Sequence, residues 1–457
     1  LIVCAGLWYA GRYGPTESLS SSARHIYFWK AKKRQIAAEV SGPRVLLVGG
    51  SGTLYSVRAA TLETQFGFPV INLALHAGLG VDYLLWDARA VARQGDIVVL
   101  FIEPNLLAHA GHDWTVADYV VPNDLGFLLH RSPSLALDLI TKLTLEELGT
   151  KLASPFRSPR LDGSALANQI NSNGDLIVNQ KSKMQEHHRR AIASYTVPFS
   201  APGIQPEQRS RMIEFFNWAR AHGVTVIGGF PAFLDFPEYR QEPYASYFEA
   251  VRRLYADEGI VTLGRPADFF VDRSQFFDSS YHLHDEGARA FTERVGKRLK
   301  NAVVCATAAR WAAGRSGDCG FDAGPTIVDW TTAGLPKALE SLEGFSDAEP
   351  WGRWTDGPEA TIRFRAPLPR RFTLEFTVAH IFPSDGKSSF DVVVGDKRHR
   401  VAVPGPGLVS VDIENLGAAR DVQLILPAAA SPKSLGLSGD ERRLGLGFRS
   451  LLVQSLD

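Results

Sequence analysis

RVLLVGGSGTLYSVRAATLETQFGFPVINLAL, residues 44–75, decides the fold. It opens on a short apolar run, 44–50, that ends in glycines. Helical periodicity follows in LYSVRAATLETQFG, and a second apolar run follows at PVINLAL, 69–75. Strand, helix and strand in one span make a βαβ unit, and strands without polar alternation fit a parallel sheet covered by helices on both faces. The pattern repeats outward. VDYLLWDARAVARQG reads as a helix, DIVVLFIE (96–103) as the third strand and PEQRSRMIEFFNWARAHG as a helix. VTVIGGF (224–230) is the fourth strand, YASYFEAVRRLYADEG a helix and IVTLG (260–264) the fifth strand. HDEGARAFTERVGKRLK closes the domain as a helix. A less regular insertion, 104–202, carries helical pieces such as LALDLITKLTLEELGTKL. The expectation is a flavodoxin-like three-layer α/β/α domain over residues 41–304, with a five-stranded parallel sheet.

After Cys319 the texture changes to short alternating segments split by Gly, Pro and Asp, among them ATIRFRA, RRFTLEFTVAHI, SSFDVVVGD and GLVSVDIEN. Regularly spaced short strands with such turns imply an antiparallel β-sandwich, jelly-roll-like, over 320–457. Two domains also suit 457 residues, too many for one ordinary core. With 49 basic residues against 49 acidic ones, charge gives no reason to propose nucleic acid as a partner. KAKKR (30–34) reads as the solvated face of a helix in an N-terminal helical segment, 1–40. The first ten residues, LIVCAGLWYA, are apolar, but a spanning helix needs about twenty such residues. They read as the remnant of a membrane anchor or as the first turns of a packed helix. Cys305 and Cys319 either pair, in an exported protein, or stay as two small apolar side chains.

In an open parallel sheet, ligands collect beyond the carboxyl ends of the strands. The first strand runs there into Gly49-Gly50-Ser51-Gly52-Thr53, and the second, past Asn72, into His76-Ala77-Gly78-Leu79-Gly80. The third ends at Glu103-Pro104-Asn105, and the fifth leads to FFDSSYHLHDEG with Asp278 and His282. A hydroxyl, glycine turns, an amide and an Asp/His pair thus meet on one edge. GGSGT lacks the Lys of a phosphate-binding loop, and Tyr55 stands where G-x-G-x-x-G needs its last Gly. It remains readable as a strand–helix turn capped by Ser51. A serine hydroxyl becomes nucleophilic when a base takes its proton, and a carboxylate on the other imidazole nitrogen fixes that base. Ser51, His282 and Asp278 supply these parts. The tetrahedral oxyanion needs donors, for which the N–H groups of Ser51 and Gly78 and the amide of Asn105 are candidates.

This order and spacing resembles the four blocks of the SGNH (GDSL-like) hydrolases. VLLVGGSGTLYSV, INLALHAGLG, GDIVVLFIEPN and FFDSSYHLHDEGARAFTERV look, more narrowly, like bacterial exopolysaccharide proteins related to alginate-type O-acetyltransferases. The resemblance implies Ser51 as nucleophile, His282 as base, Asp278 as its orienter and Gly78 as oxyanion donor. The usual G-x-N-D block reads Glu103-Pro104-Asn105-Leu106 here, and Glu103 is assigned to substrate binding. The resemblance further implies an exported enzyme of the periplasm or cell envelope. It would act on O-acyl groups of a polysaccharide, as esterase or transferase, with an acyl donor and a polysaccharide-synthesis machinery as partners and no cofactor. The rival reading is an inactive glycan-binding or assembly protein on the same fold. In the β domain, Trp351 and Trp354 (EPWGRWTDG) are candidates for sugar stacking, against a packing role. His109, His112 and Asp113 have donor types for a metal but read better as a polar loop. His284 is an alternative base.

Overall fold

The structure is a computed structural model. It describes residues 20–456 except 110, 112, 132, 148–160, 162, 201–202, 312–325, 332, 337 and 384–387. The apolar segment 1–10, His112 and the Cys305–Cys319 pairing therefore lie outside the described residues. Two compact units form, Leu1–Val251 with Thr262–Lys297, and Arg252–Val261 with Arg298–Asp457.

The α/β fold carries strands β1 (Val45–Gly49), β2 (Val70–Asn72), β3 (Ile97–Phe101), β4 (Thr225–Gly229), β5 (Phe233–Leu234), β6 (Val261–Thr262) and β7 (Phe270–Val271). Its main sheet has the order β2-β1-β3-β4-β6, with β1 parallel to both β2 and β3, and β5 and β7 form a separate parallel pair. This is the flavodoxin-like order, and it reverses between β1 and β3. Right-handed crossovers then place the helix between β1 and β2 on one face and those between β2 and β4 on the other. The helices preceding β4 are α1 (Ser21–Glu39), α2 (Ser51–Ser56), α3 (Ala59–Phe66), α4 (Gly80–Val91), α5 (Pro104–Ala108), α6 (Trp114–Asn123), α7 (Leu125–His130), α8 (Pro133–Thr141), α9 (Glu186–Ser194) and α10 (Pro206–Ala221). Later come α11 (Tyr244–Ala256) and α12 (Asp285–Trp311). Arg89 of α4 donates to Glu214 of α10 at 3.2 Å. Across α3 and α12, Gly296 lets the helices close, since a Cβ there would stand 2.9 Å from Leu62 Cδ2. Beneath the sheet, buried Arg44 and Asp96 pair at 2.5 Å, locking the starts of β1 and β3 together.

The helix expected across LYSVRAATLETQFG is in fact two, because Val57 and Arg58 are extended. The reason is a long-range cap. The Asp175 carboxylate, in the insertion, accepts from the N–H groups of Ala59 (2.7 Å) and Ala60 (3.0 Å), starting a new helix there. Asn72, at the end of β2, donates to Val57 O (3.1 Å) and to Asp175 Oδ1 (3.2 Å). Lys33, buried on α1, donates to Ala74 O at 2.7 Å beside this network. KAKKR is thus only partly a solvated face: Lys30 and Lys33 are both buried.

The second unit is an antiparallel sandwich of β8 (Thr326–Asp329), β9 (Leu339–Glu343), β10 (Arg353–Asp356), β11 (Glu359–Phe364), β12 (Arg371–Ile381), β13 (Ser388–Val394), β14 (Lys397–Val403), β15 (Gly407–Glu414), β16 (Asp421–Ile425) and β17 (Leu444–Ser455). One sheet runs β10-β17-β12-β15 with β8 on β17, and the other β14-β13-β16-β11-β9. Alternating side chains such as Phe372, Leu374, Phe376, Phe390, Val392 and Phe448 fill the space between them.

Burial holds the Lys33 ammonium down to about 7, against the pull of Asp175 and Asp87. Between about 7 and its ordinary value the unfolded chain keeps a proton that the folded chain has released, so stability rises with pH there. Urea unfolding at pH 7 and pH 9 should show this slope, roughly 1.4 kcal/mol per pH step from one group, and Lys33→Met should flatten it. An unchanged slope in the variant refutes the assignment.

Candidate active site

The loops leaving β1, β2 and β3 meet where the strand order reverses. Ser51 is the first residue of α2 and is partly buried. Glu103 is only 1% exposed and sends its carboxylate across to the β1 loop. Its Oε2 accepts from Gly50 N at 3.0 Å and its Oε1 from Gly52 N at 2.6 Å, one on either side of Ser51. Gly50 has no room for a side chain, since a Cβ would lie 2.5 and 2.6 Å from the Glu103 oxygens and 2.8 Å from Ala77 Cα. Burial pushes the Glu103 carboxyl above its ordinary value, while the loop N–H groups and His282 oppose that rise. Thr53 Oγ1 donates to Phe101 O at 2.7 Å, clamping α2 to the end of β3.

Asp278 and His282 sit in a tight loop ahead of α12. Phe277 N donates to His282 O at 2.7 Å, and Phe276 bridges Leu283, which folds the segment back on itself. This brings His282 Nδ1 to 2.7 Å from Asp278 Oδ1. The other imidazole nitrogen is then the one available for proton transfer. Tyr55 lies four residues after Ser51, on the same face of α2. Its ring stacks on His282 with centroids 4.0 Å apart and planes at 12°. Burial, aided by Asp278, pushes the Tyr55 hydroxyl up to about 12, so it stays neutral beside the imidazole. Two further ties join α2 to this loop. Ser56 Oγ donates to Tyr281 O at 3.2 Å, and Asn179 Nδ2 donates to Leu283 O at 2.7 Å and Tyr55 O at 3.3 Å.

Several expected roles meet different surroundings. Glu103 faces the β1 loop with both oxygens, so its geometry is not that of a substrate ligand. The Gly78 N–H is already given to His76 Nδ1 at 3.0 Å, and a Cβ at Gly78 would stand 2.9 Å from Thr115 Oγ1. Asn105 keeps a buried Oδ1 that meets no protein donor. His284 is fully buried, accepts from Gly287 N at 3.0 Å and faces Ser274 O at 3.1 Å, which makes it a tie for the loop. His109 lies 3.4 Å from Asp113, and among the described residues no group of three or more His, Cys, Asp and Glu is placed to hold a metal. Trp351 and Trp354 are partly exposed and cluster with His380, at centroid distances of 4.4 and 5.7 Å. Trp351 Nε1 donates to Glu349 at 2.9 Å.

Sequence reading missed Tyr55, His76 and Asn179. His76 was quoted only as part of its loop. Burial and nearby His282 hold it below its ordinary value, and the bond from Gly78 keeps its Nδ1 unprotonated. Asn179 carried no signal at all, because its partners lie more than a hundred residues away.

A five-stranded parallel sheet with helices, carrying a Ser, His and Asp on its carboxyl edge and followed by an antiparallel β-sandwich, is the class of protein that the fold and site define. Residues 322–455 match the family described as DUF7024, a domain of unknown function. Phosphoglycerol transferase I of Salmonella choleraesuis (strain SC-B67) is 27% identical over 133 residues, 28% of this chain and 17% of that protein. The chain therefore spans about a sixth of the length of the curated relatives it matches. Among solved structures, a protein assigned to the G-D-S-L lipolytic family from Desulfitobacterium hafniense DCB-2 aligns with 56% of this chain and 98% of its own, at 11% identity and a TM-score of 0.28. A family 35 carbohydrate-binding module from an environmental isolate aligns with 29% of this chain and 93% of its own, at 15% identity and a TM-score of 0.19.

Asn179→Ala strands the buried carbonyl of Leu283 and frees one side of α2. The expected loss is about 2–3 kcal/mol in urea unfolding. A loss below about 0.5 kcal/mol would show that the tie is dispensable.

Proposed function

We propose that the chain is a serine-dependent acyl-ester enzyme acting on O-acyl groups, acetyl esters above all, of a cell-envelope or extracellular polysaccharide. The observation that carries this reading is the Asp278–His282 pair at 2.7 Å, stacked through His282 on Tyr55 of the helix that begins at Ser51. In the proposed reaction Ser51 Oγ attacks the acyl carbonyl while His282 Nε2 takes its proton. The same nitrogen returns the proton to the departing alcohol oxygen, and the acyl group on Ser51 passes to water or to a sugar hydroxyl. Asp278 holds the imidazole tautomer and stabilises the imidazolium. The oxyanion would lie against the Ser51 N–H, with the Asn105 amide as a second donor. An exported, envelope location follows from the proposed substrate. The partly exposed Trp351 and Trp354 support a sugar-stacking surface in the sandwich.

A second reading is favoured by one observation: the Gly78 N–H is occupied by His76, which thins the expected oxyanion hole. In that reading the protein binds glycan without turning it over.

Hydrolysis of p-nitrophenyl acetate separates the two. Wild-type protein should turn over, Ser51→Ala should show no acyl-enzyme, and His282→Ala or Asp278→Asn should lose about 10³–10⁴ in kcat. Equal inactivity of wild type and Ser51→Ala, with glycan binding intact, would establish the second reading. For the sandwich, Trp354→Ala should weaken retention on acetylated polysaccharide in affinity electrophoresis by roughly 3–10-fold. Unchanged mobility would return Trp354 to a packing role.

A further inference from the structure

The geometry points to Glu103 as the positioning residue for the Ser51 loop. This rests on the reading of Ser51 as nucleophile and adds to it a residue that neither touches substrate nor moves the reacting proton. Glu103 occupies the N-cap position of α5, yet its side chain makes no cap bond there. It reaches across the strand reversal and takes the N–H groups on both sides of Ser51, at 3.0 and 2.6 Å. Cβ atoms on Gly50 and Gly52 would stand 2.5 and 2.9 Å from its Oε1, so both glycines are shaped around this one carboxylate. Its own backbone is pinned by Leu106 N, which donates to Glu103 O at 3.0 Å.

Two consequences follow. The N–H groups of Gly50 and Gly52 are spent on Glu103, so neither is left to meet an oxyanion at Ser51. A carboxylate with both oxygens accepting also holds Ser51 from two sides, which a group with a single acceptor cannot do. Protonation would turn one oxygen into a donor facing an N–H, and burial brings that protonation to a higher pH than for an ordinary carboxyl. The hold on Ser51 therefore weakens on the acid side, in addition to whatever protonation does to the base.

Glu103→Gln keeps shape and volume but presents an amide donor to one of the two N–H groups. With p-nitrophenyl acetate, assayed well below the melting temperature where the variant is fully folded, it should lower kcat by about 10–100-fold with KM within about threefold. The acid limb of kcat should become shallower by one proton. Glu103→Asp, too short to reach both glycines, should lose kcat at least as far, and amide exchange at Gly50 and Gly52 should quicken in both variants. A kcat in Glu103→Gln within twofold of wild type, a change confined to KM, or a kcat that falls only in step with melting temperature overturns the proposal. Wild type as inactive as Ser51→Ala sinks the nucleophile reading itself, and the positioning claim with it. Active wild type, inactive Ser51→Ala and unimpaired Glu103→Gln sink the positioning claim alone.

Discussion

One buried carboxylate organises the carboxyl edge of the parallel sheet. Glu103 carries a charge into a site that is 1% exposed, where an unpaired carboxylate would be expensive. Two loop N–H groups meet it there, and they belong to the residues on either side of Ser51. The arrangement requires β1 and β3 to be adjacent and parallel, which is the point at which the strand order reverses. It also requires glycine at both donor positions, because a side chain at either would overlap the carboxylate. The glycines of GGSGT thus answer to packing against the third strand's loop. A phosphate cradle is not needed to explain them.

The same logic of long-range ties governs the other side of the site. Asp278 and His282 come together because a short loop folds back on itself, closed by Phe277 N to His282 O at 2.7 Å. The helix that begins at Ser51 is only six residues long and could not hold its own position. It is held by Thr53 to Phe101 O, by Ser56 to Tyr281 O, by Asn179, and by the stacked Tyr55–His282 rings. The insertion contributes to this frame. Its Asp175 breaks the helix after Ser56, and its Asn179 joins Tyr55 to Leu283.

Strand identity was legible from the sequence because parallel strands buried on both faces must be apolar throughout. Each of VLLVG, IVVLF and the core of TVIGG reads that way, and VIN does so up to Asn72. The sandwich was legible from alternation and turn spacing, as in β12 and β13. The candidate site was legible only as residue types at strand ends. Ser51, Asp278, His282 and Glu103 could be named, but the partner of Glu103 could not. A carboxylate beside a Pro-Asn turn gives no sign of which backbone it will accept from.

Sequence alone determined the two architectures, the positions of five parallel strands and the edge on which polar loops converge. These follow from local periodicity and from the hand of βα crossovers, which act over a few tens of residues. Tertiary structure alone decided that Glu103 faces Gly50 and Gly52, that His76 takes the Gly78 N–H, that Tyr55 backs His282 and that Asp175 splits a helix in two. The physical reason is the same in each case. A buried polar group must find a partner, and which one it finds depends on segments that only the folded chain brings within 3 Å or so of each other.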